Sequence, residues 1–221
     1  MSLSIRSLFT ALILCTPGLA YAHTPIEGIG NFYNGLLHPV WVAAHLLAII
    51  AFGLLIGQQG IKAIRPTLPA FLLALLAGLC VVAFDITFDA ELTLLIVTAI
   101  LGLLVALERR LPLAANLLLA VALGGIVGLD SPQEDLWGMD KFYALSGTWL
   151  GVCLCLSLMV GFAAFLLKPW QRILIRVLGS WTTASAFLVL ATLFVAANKP
   201  PPPPDNDASS DTYTFIIKEK K

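Results

Sequence analysis

The sequence predicts an all-α fold: a polytopic helical membrane protein with about six transmembrane helices after a cleaved signal peptide. Three observations carry this expectation. Hydrophobic residues fill 59% of the 221 positions and charged residues only 12%, with a mean hydropathy of +0.92, which leaves too few polar groups to cover a soluble globule of this size. The apolar residues gather in runs close to the roughly 17–25 residues that a membrane helix requires. Period-2 alternation of apolar and polar residues is absent, which argues against strands. Thirteen basic residues balance 13 acidic ones, so bulk charge gives no reason to expect nucleic acid as a partner, and the lipid bilayer is the expected surroundings.

Residues 1–22 read as a signal peptide. Arg6 stands in a short basic region, Leu8 to Leu14 are apolar, Pro17 and Gly18 break the helix, and Ala20-Tyr21-Ala22 is an A-x-A cleavage site that makes His23 the mature N-terminus. The apolar core is too short to span a bilayer. Cys15 follows Ile13 and Leu14 rather than small residues, so it is not read as a lipid anchor. Residues 23–37 form a periplasmic segment, and residues 38–197 a six-helix domain with spans near 38–57, 67–84, 92–107, 112–129, 143–167 and 177–197.

The connections set the orientation. Lys62 and Arg65 follow the first span, Arg109 and Arg110 the third, and Lys168, Arg172 and Arg176 the fifth; an excess of Lys and Arg marks cytoplasmic loops. The alternate connections carry Asp85, Asp89 and Glu91, then Asp130, Glu134, Asp135 and Asp140, and are expected to face the periplasm. A signal that exports the N-terminus agrees, and an even span count puts the C-terminus outside a bacterial inner membrane as well. Residues 198–221 change character to KPPPPP, DNDASSD and TYTFIIKEKK. They read as a stiff polyproline spacer and a flexible periplasmic end that offers a site for a protein partner.

Within the domain, Trp41, Trp137, Trp149, Trp170 and Trp181 are expected at span ends, where amphipathic rings settle at headgroup level. Gly53-x-x-x-Gly57, Gly124-x-x-x-Gly128 and Gly147-x-x-x-Gly151 predict close helix packing. Cys80, Cys153 and Cys155 sit in apolar runs without metal-site spacing and are expected as buried thiols.

The chemistry is concentrated in LLHPVWVAAH, residues 36–45. Pro39 suits a first helical turn, so the first span is expected to begin near His38, with His45 one layer deeper. On a continuous helix their seven-residue separation is a rise of about 10 Å, which makes them successive stations rather than ligands of one ion. Ionisable groups within a span raise a functional hypothesis; the bland alternative is that each imidazole hydrogen-bonds a neighbouring helix and fixes packing.

HPVWVAAH resembles the first-helix signature of the HupE/UreJ family, membrane accessory proteins of nickel hydrogenases and ureases regarded as nickel or cobalt permeases, whose pattern is His-Pro, two residues, Gly, one residue, Asp-His. The Ala-His at the end of the signal, GLLHP, the short spans and LVALERRLPLAANLLL are similar as well, so the resemblance covers roughly residues 23–197. His38, Pro39 and His45 match, but Val42 replaces the motif's Gly and Ala44 its Asp. The family's second signature, His-Gly-x-x-His-Gly followed by an acid, falls on residues 124–129, where Gly124 and Gly128 replace both histidines and only Asp130 and Glu134 stand for the acid.

The resemblance implies transport of nickel or cobalt, with copper as a further candidate. Such ions favour imidazole with carboxylate, and two imidazoles without an intramembrane acid would make a weak site. Asp130, Glu134 and Asp135 would gather cations outside, although acidic loops are commonly just solvated faces. His23 would add an α-amine and imidazole chelate suited to copper or nickel. No permanently bound cofactor is expected. An enzyme is not expected either, since no nucleophile–base pair, paired carboxylates, H-E-x-x-H or phosphate loop is present. The alternative to a permease is a non-transporting membrane scaffold or metal-sensing subunit that works through its tail and a partner.

Overall fold

The computed structural model describes residues 28–198 except Thr87, residues 133–135 and Leu167. The signal peptide, His23, Glu134 and the proline-rich tail lie outside the described residues. Within them all regular structure is helical: α1 (Asn31–Trp41), α2 (Ala43–Gln59), α3 (Ile61–Val82), α4 (Glu91–Ala106), α5 (Leu113–Leu129), α6 (Gly138–Phe165) and α7 (Pro169–Ala197). Helices α2 to α7 follow the six expected spans in order, and α1 is additional.

By length and apolar composition α3, α6 and α7 are each able to cross a membrane, and α1 with α2 makes a fourth candidate, bent by 69° at its break. Helices α4 and α5 have 16 and 17 residues, about 24–26 Å at 1.5 Å per residue. Six is therefore a rough count of spans. The chain is a multi-pass membrane protein.

The first span does not begin at His38. Helix α1 starts after Gly30, whose φ of +80° suits glycine, and Pro39 lies inside its last turn. Proline has no N–H to give to the carbonyl four residues earlier and crowds it, so a helix is weakened there. Three residues on, Val42 takes an extended conformation (φ −83°, ψ 107°), ending α1 and capping α2. Its N–H still reaches the His38 carbonyl at 3.1 Å, and its own carbonyl accepts from Leu46 at 3.0 Å. Gly60, at φ +84°, is the single residue between α2 and α3, and Pro169 opens α7 in the first helical position that tolerates proline.

Helix α2 is the central element, buried along Ala48, Ile49, Phe52, Leu54, Leu55 and Ile56. It packs on α6 and α4, while α1 packs on α6, α4 on α7, and α5 on α3. All three glycine pairs expected from the sequence lie in these contacts. A Cβ at Gly147 or Gly151 would strike the backbone of Phe32 or Leu36 in α1, one at Gly124 or Gly128 the backbone of Phe71 or Leu75 in α3, one at Gly53 the Met159 side chain of α6, and one at Gly57 the Ala163 side chain and Val160 carbonyl of α6.

Two expectations change here. Trp149 is half-buried inside α6 and donates its indole N–H to the carbonyl of Leu72, in the middle of α3, at 3.3 Å, since a covered N–H needs an acceptor and α3 passes beside it. Cys80 is exposed, and Cys153 and Cys155 are only partly covered, because an apolar run in lipid need not face the protein interior.

Candidate metal-ion site

The break at Val42 decides the geometry. Across it, the rings of His38 and His45 meet edge to face with centroids 5.4 Å apart. The expected separation of about 10 Å assumed a continuous helix; the 69° bend folds α1 back and overturns it. The two histidines are neighbours.

The deeper histidine also has an acidic partner. His45, fully buried, brings Nε2 to within 3.0 Å of Oδ2 of Asp130, whose side chain is 11% exposed. Asp130 caps the C-terminus of α5, where its N–H donates to the Ile126 carbonyl at 2.8 Å. Its second oxygen, Oδ1, accepts the N–H of Ala90 at 2.8 Å, and Ala90 is the N-cap of α4. A carboxylate at a helix C-terminus is disfavoured by the dipole of that helix, and the positive N-terminus of α4 offsets this. One side chain thus ties α2, α4 and α5 together. The weak site expected from two imidazoles without an intramembrane acid gains its acid from α5, 85 residues along the chain.

The hydrogen-bond pattern assigns the proton. A carboxylate only accepts, so His45 Nε2 donates, and in neutral imidazole the lone pair then stands on Nδ1. That nitrogen is buried without a hydrogen-bond partner among the described residues. A histidine whose second nitrogen is held by a carboxylate is the arrangement that orients metal-ligating imidazoles. Among the described residues no three His, Cys, Asp or Glu side chains converge as a closed cage; the three groups form a chain of two contacts.

Two of the other acids expected outside are engaged elsewhere. Asp85 pairs with Lys141, and Asp89 accepts the N–H of Glu91 at 3.3 Å. At the opposite end of the molecule, Arg172 pairs with Glu108 at 3.0 Å, and Arg176 donates to the Ala106 carbonyl at 2.9 Å.

Sequence reasoning missed one polar cluster. Gln59 ends α2, and Asn116, 1% exposed, stands near the start of α5. Asn116 Nδ2 donates to Gln59 Oε1 at 2.9 Å and Gln59 Nε2 donates to Asn116 Oδ1 at 3.2 Å, while the Leu111 N–H also reaches Gln59 Oε1 at 3.1 Å. An amide inside the apolar run LAANLLLA was the available signal, since a buried amide demands a partner.

Residues 11–189 match the family model described as HupE / UreJ protein. Over 104 residues, 47% of this chain, the sequence is 32% identical to Protein HupE of Rhizobium leguminosarum bv. viciae. The match spans 54% of that relative, about half its length. No solved structure matches.

Proposed function

The chain belongs to the HupE/UreJ family, and from that premise we propose that it is a membrane permease for a divalent transition-metal ion, with nickel and cobalt the first candidates and copper the next. The observation that carries this reading is the chain of two contacts that joins His38, His45 and Asp130 at the broken first span. His45 presents Nδ1 to the ion, His38 is the second imidazole, and Asp130 holds His45 in the ligating tautomer. Two imidazoles, one of them oriented by a carboxylate, suit these metals, and helix ends inside a broken span serve ion sites in other transporters. The cation is cargo, not a resident cofactor. Glu134 and His23 would lie on the outer approach, in a bacterial inner-membrane protein with both mature termini in the periplasm.

The test is accumulation of nickel, cobalt, copper and zinc by metal-starved cells that express the intact chain, a His38→Ala/His45→Ala variant, or a truncation after Asn198. Uptake of one metal by the intact and truncated forms, with none by the double variant, is expected. If all three match empty-vector cells while the proteins are folded in the membrane, transport is refuted. The scaffold reading, in which residues 199–221 engage a partner, then takes its place.

A further inference from the structure

We propose that the ion path runs along the seam between α2 and α5, from the His45–Asp130 pair past a Phe52–Phe71 plug to an inner polar station made by Gln59 and Asn116. This rests on the permease reading.

The register carries it. His45 and Gln59 are fourteen residues apart on α2, and so are Asn116 and Asp130 on α5. The hydrogen bonds pair 45 with 130 and 59 with 116, as two antiparallel helices facing each other along their length require. Fourteen residues make nearly four turns, so both rungs sit on one face, about 21 Å apart along the axis. That is most of the roughly 30 Å hydrocarbon thickness.

Helix α5 packs its backbone chiefly on α3, and α2 on α6 and α4, so the two rungs are the polar fastenings between α2 and α5 across buried apolar side chains. Phe52 lies midway, seven residues from each rung and on the same face. It is fully buried and stacks on Phe71 of α3, with centroids 5.4 Å apart and planes at 26°. A hydrophobic constriction between two polar stations blocks ions by excluding water. Below it, the side-chain oxygens of Asn116 and Gln59, with the Leu55 carbonyl that already accepts from Gln59 at 3.1 Å, offer oxygen ligands for a partly hydrated cation. The weaker inner donors favour release.

The experiment uses the full chain in liposomes with nickel chloride outside and a nickel-sensitive dye inside, alongside nickel binding to the same protein in detergent. Asn116→Leu is expected to cut the initial rate by about tenfold or more, the scale on which losing a supporting polar group affects metal sites, while binding at the outer pair stays near that of the intact protein. Exchanging the amides, Gln59→Asn with Asn116→Gln, is expected to restore most of the rate. Phe52→Ala is expected to raise the rate several-fold, whereas a residue that only fills the core would lower it. If Asn116→Leu transports like the intact protein, or if Phe52→Ala gives no increase in folded protein, the path is wrong while the permease reading stands. If the intact protein neither binds nor admits nickel or cobalt, both fall together.

Discussion

At the scale of single residues, position 130 gives His45 a carboxylate that position 44, where the family motif has Asp, does not. Ala44 is fully buried and offers no oxygen, yet His45 still meets a carboxylate because the chain brings Asp130 to it from another helix. Both residues were legible as candidates in the sequence; their pairing was not, since 85 residues separate them and nothing local marks an acid as solvated or shielded. Two substitutions separate its roles. Asp130→Asn removes the charge and leaves one carbonyl oxygen for the two N–H groups that Asp130 serves, so nickel affinity measured by calorimetry is expected to fall about 10–100-fold with one N–H at most left unpaired. Asp130→Leu leaves a buried imidazole N–H and the Ala90 N–H without this acceptor, at a cost of about 1–3 kcal/mol per group, and is expected to lower the unfolding temperature as well. Unchanged nickel affinity in Asp130→Asn would remove Asp130 from the site.

At the scale of helices, glycine spacing was the most reliable part of the sequence, because the close backbone approach it permits is the contact the fold uses. The position of the first helix was misjudged through Pro39. Proline is tolerated at a helix start and disruptive further in, and the sequence alone does not say on which side of it the helix lies. The Arg-bearing start of α7 was missed for a related reason: Arg172 and Arg176 interrupt the apolar run, but their charges are met by Glu108 and by the Ala106 carbonyl, so the helix extends through them. The same packing explains why the second histidine signature cannot simply be restored. Gly124 and Gly128 face the backbone of α3 with no room for a Cβ. Gly124→His with Gly128→His is therefore expected to separate α3 from α5, costing at least the roughly 1–3 kcal/mol of ordinary overpacking, and to reduce folded protein in the membrane without raising nickel affinity. A stable double variant that binds nickel more tightly would refute this account of the α3–α5 contact.

At the scale of the whole molecule, the polar groups divide between two ends. One end holds Asp130 with His45 and Asp85 with Lys141; the other holds Gln59 with Asn116 and Glu108 with Arg172. Helices α2 to α7 alternate between them, and each end collects the connections whose charges agreed in the sequence. Lys62 and Arg65 in the first turns of α3, and Arg109 and Arg110 in the connection after α4, lie at the Gln59 end, and the positive-inside rule would assign that end to the cytoplasm. On that assignment the His45 end would face outward, where an imported ion would first arrive, so orientation and function stand on one prediction. In a chain whose Cys80, Cys153 and Cys155 are replaced by Ala, Glu91→Cys is expected to react with a membrane-impermeant maleimide in intact spheroplasts, and Lys62→Cys only after permeabilisation. Both sites flank helix ends and are at least partly exposed, so access is set by the side of the membrane and not by burial. The reverse pattern would put the His45–Asp130 pair on the cytoplasmic side. The path from His45 to Gln59 would then run outward, and the protein would have to be an exporter.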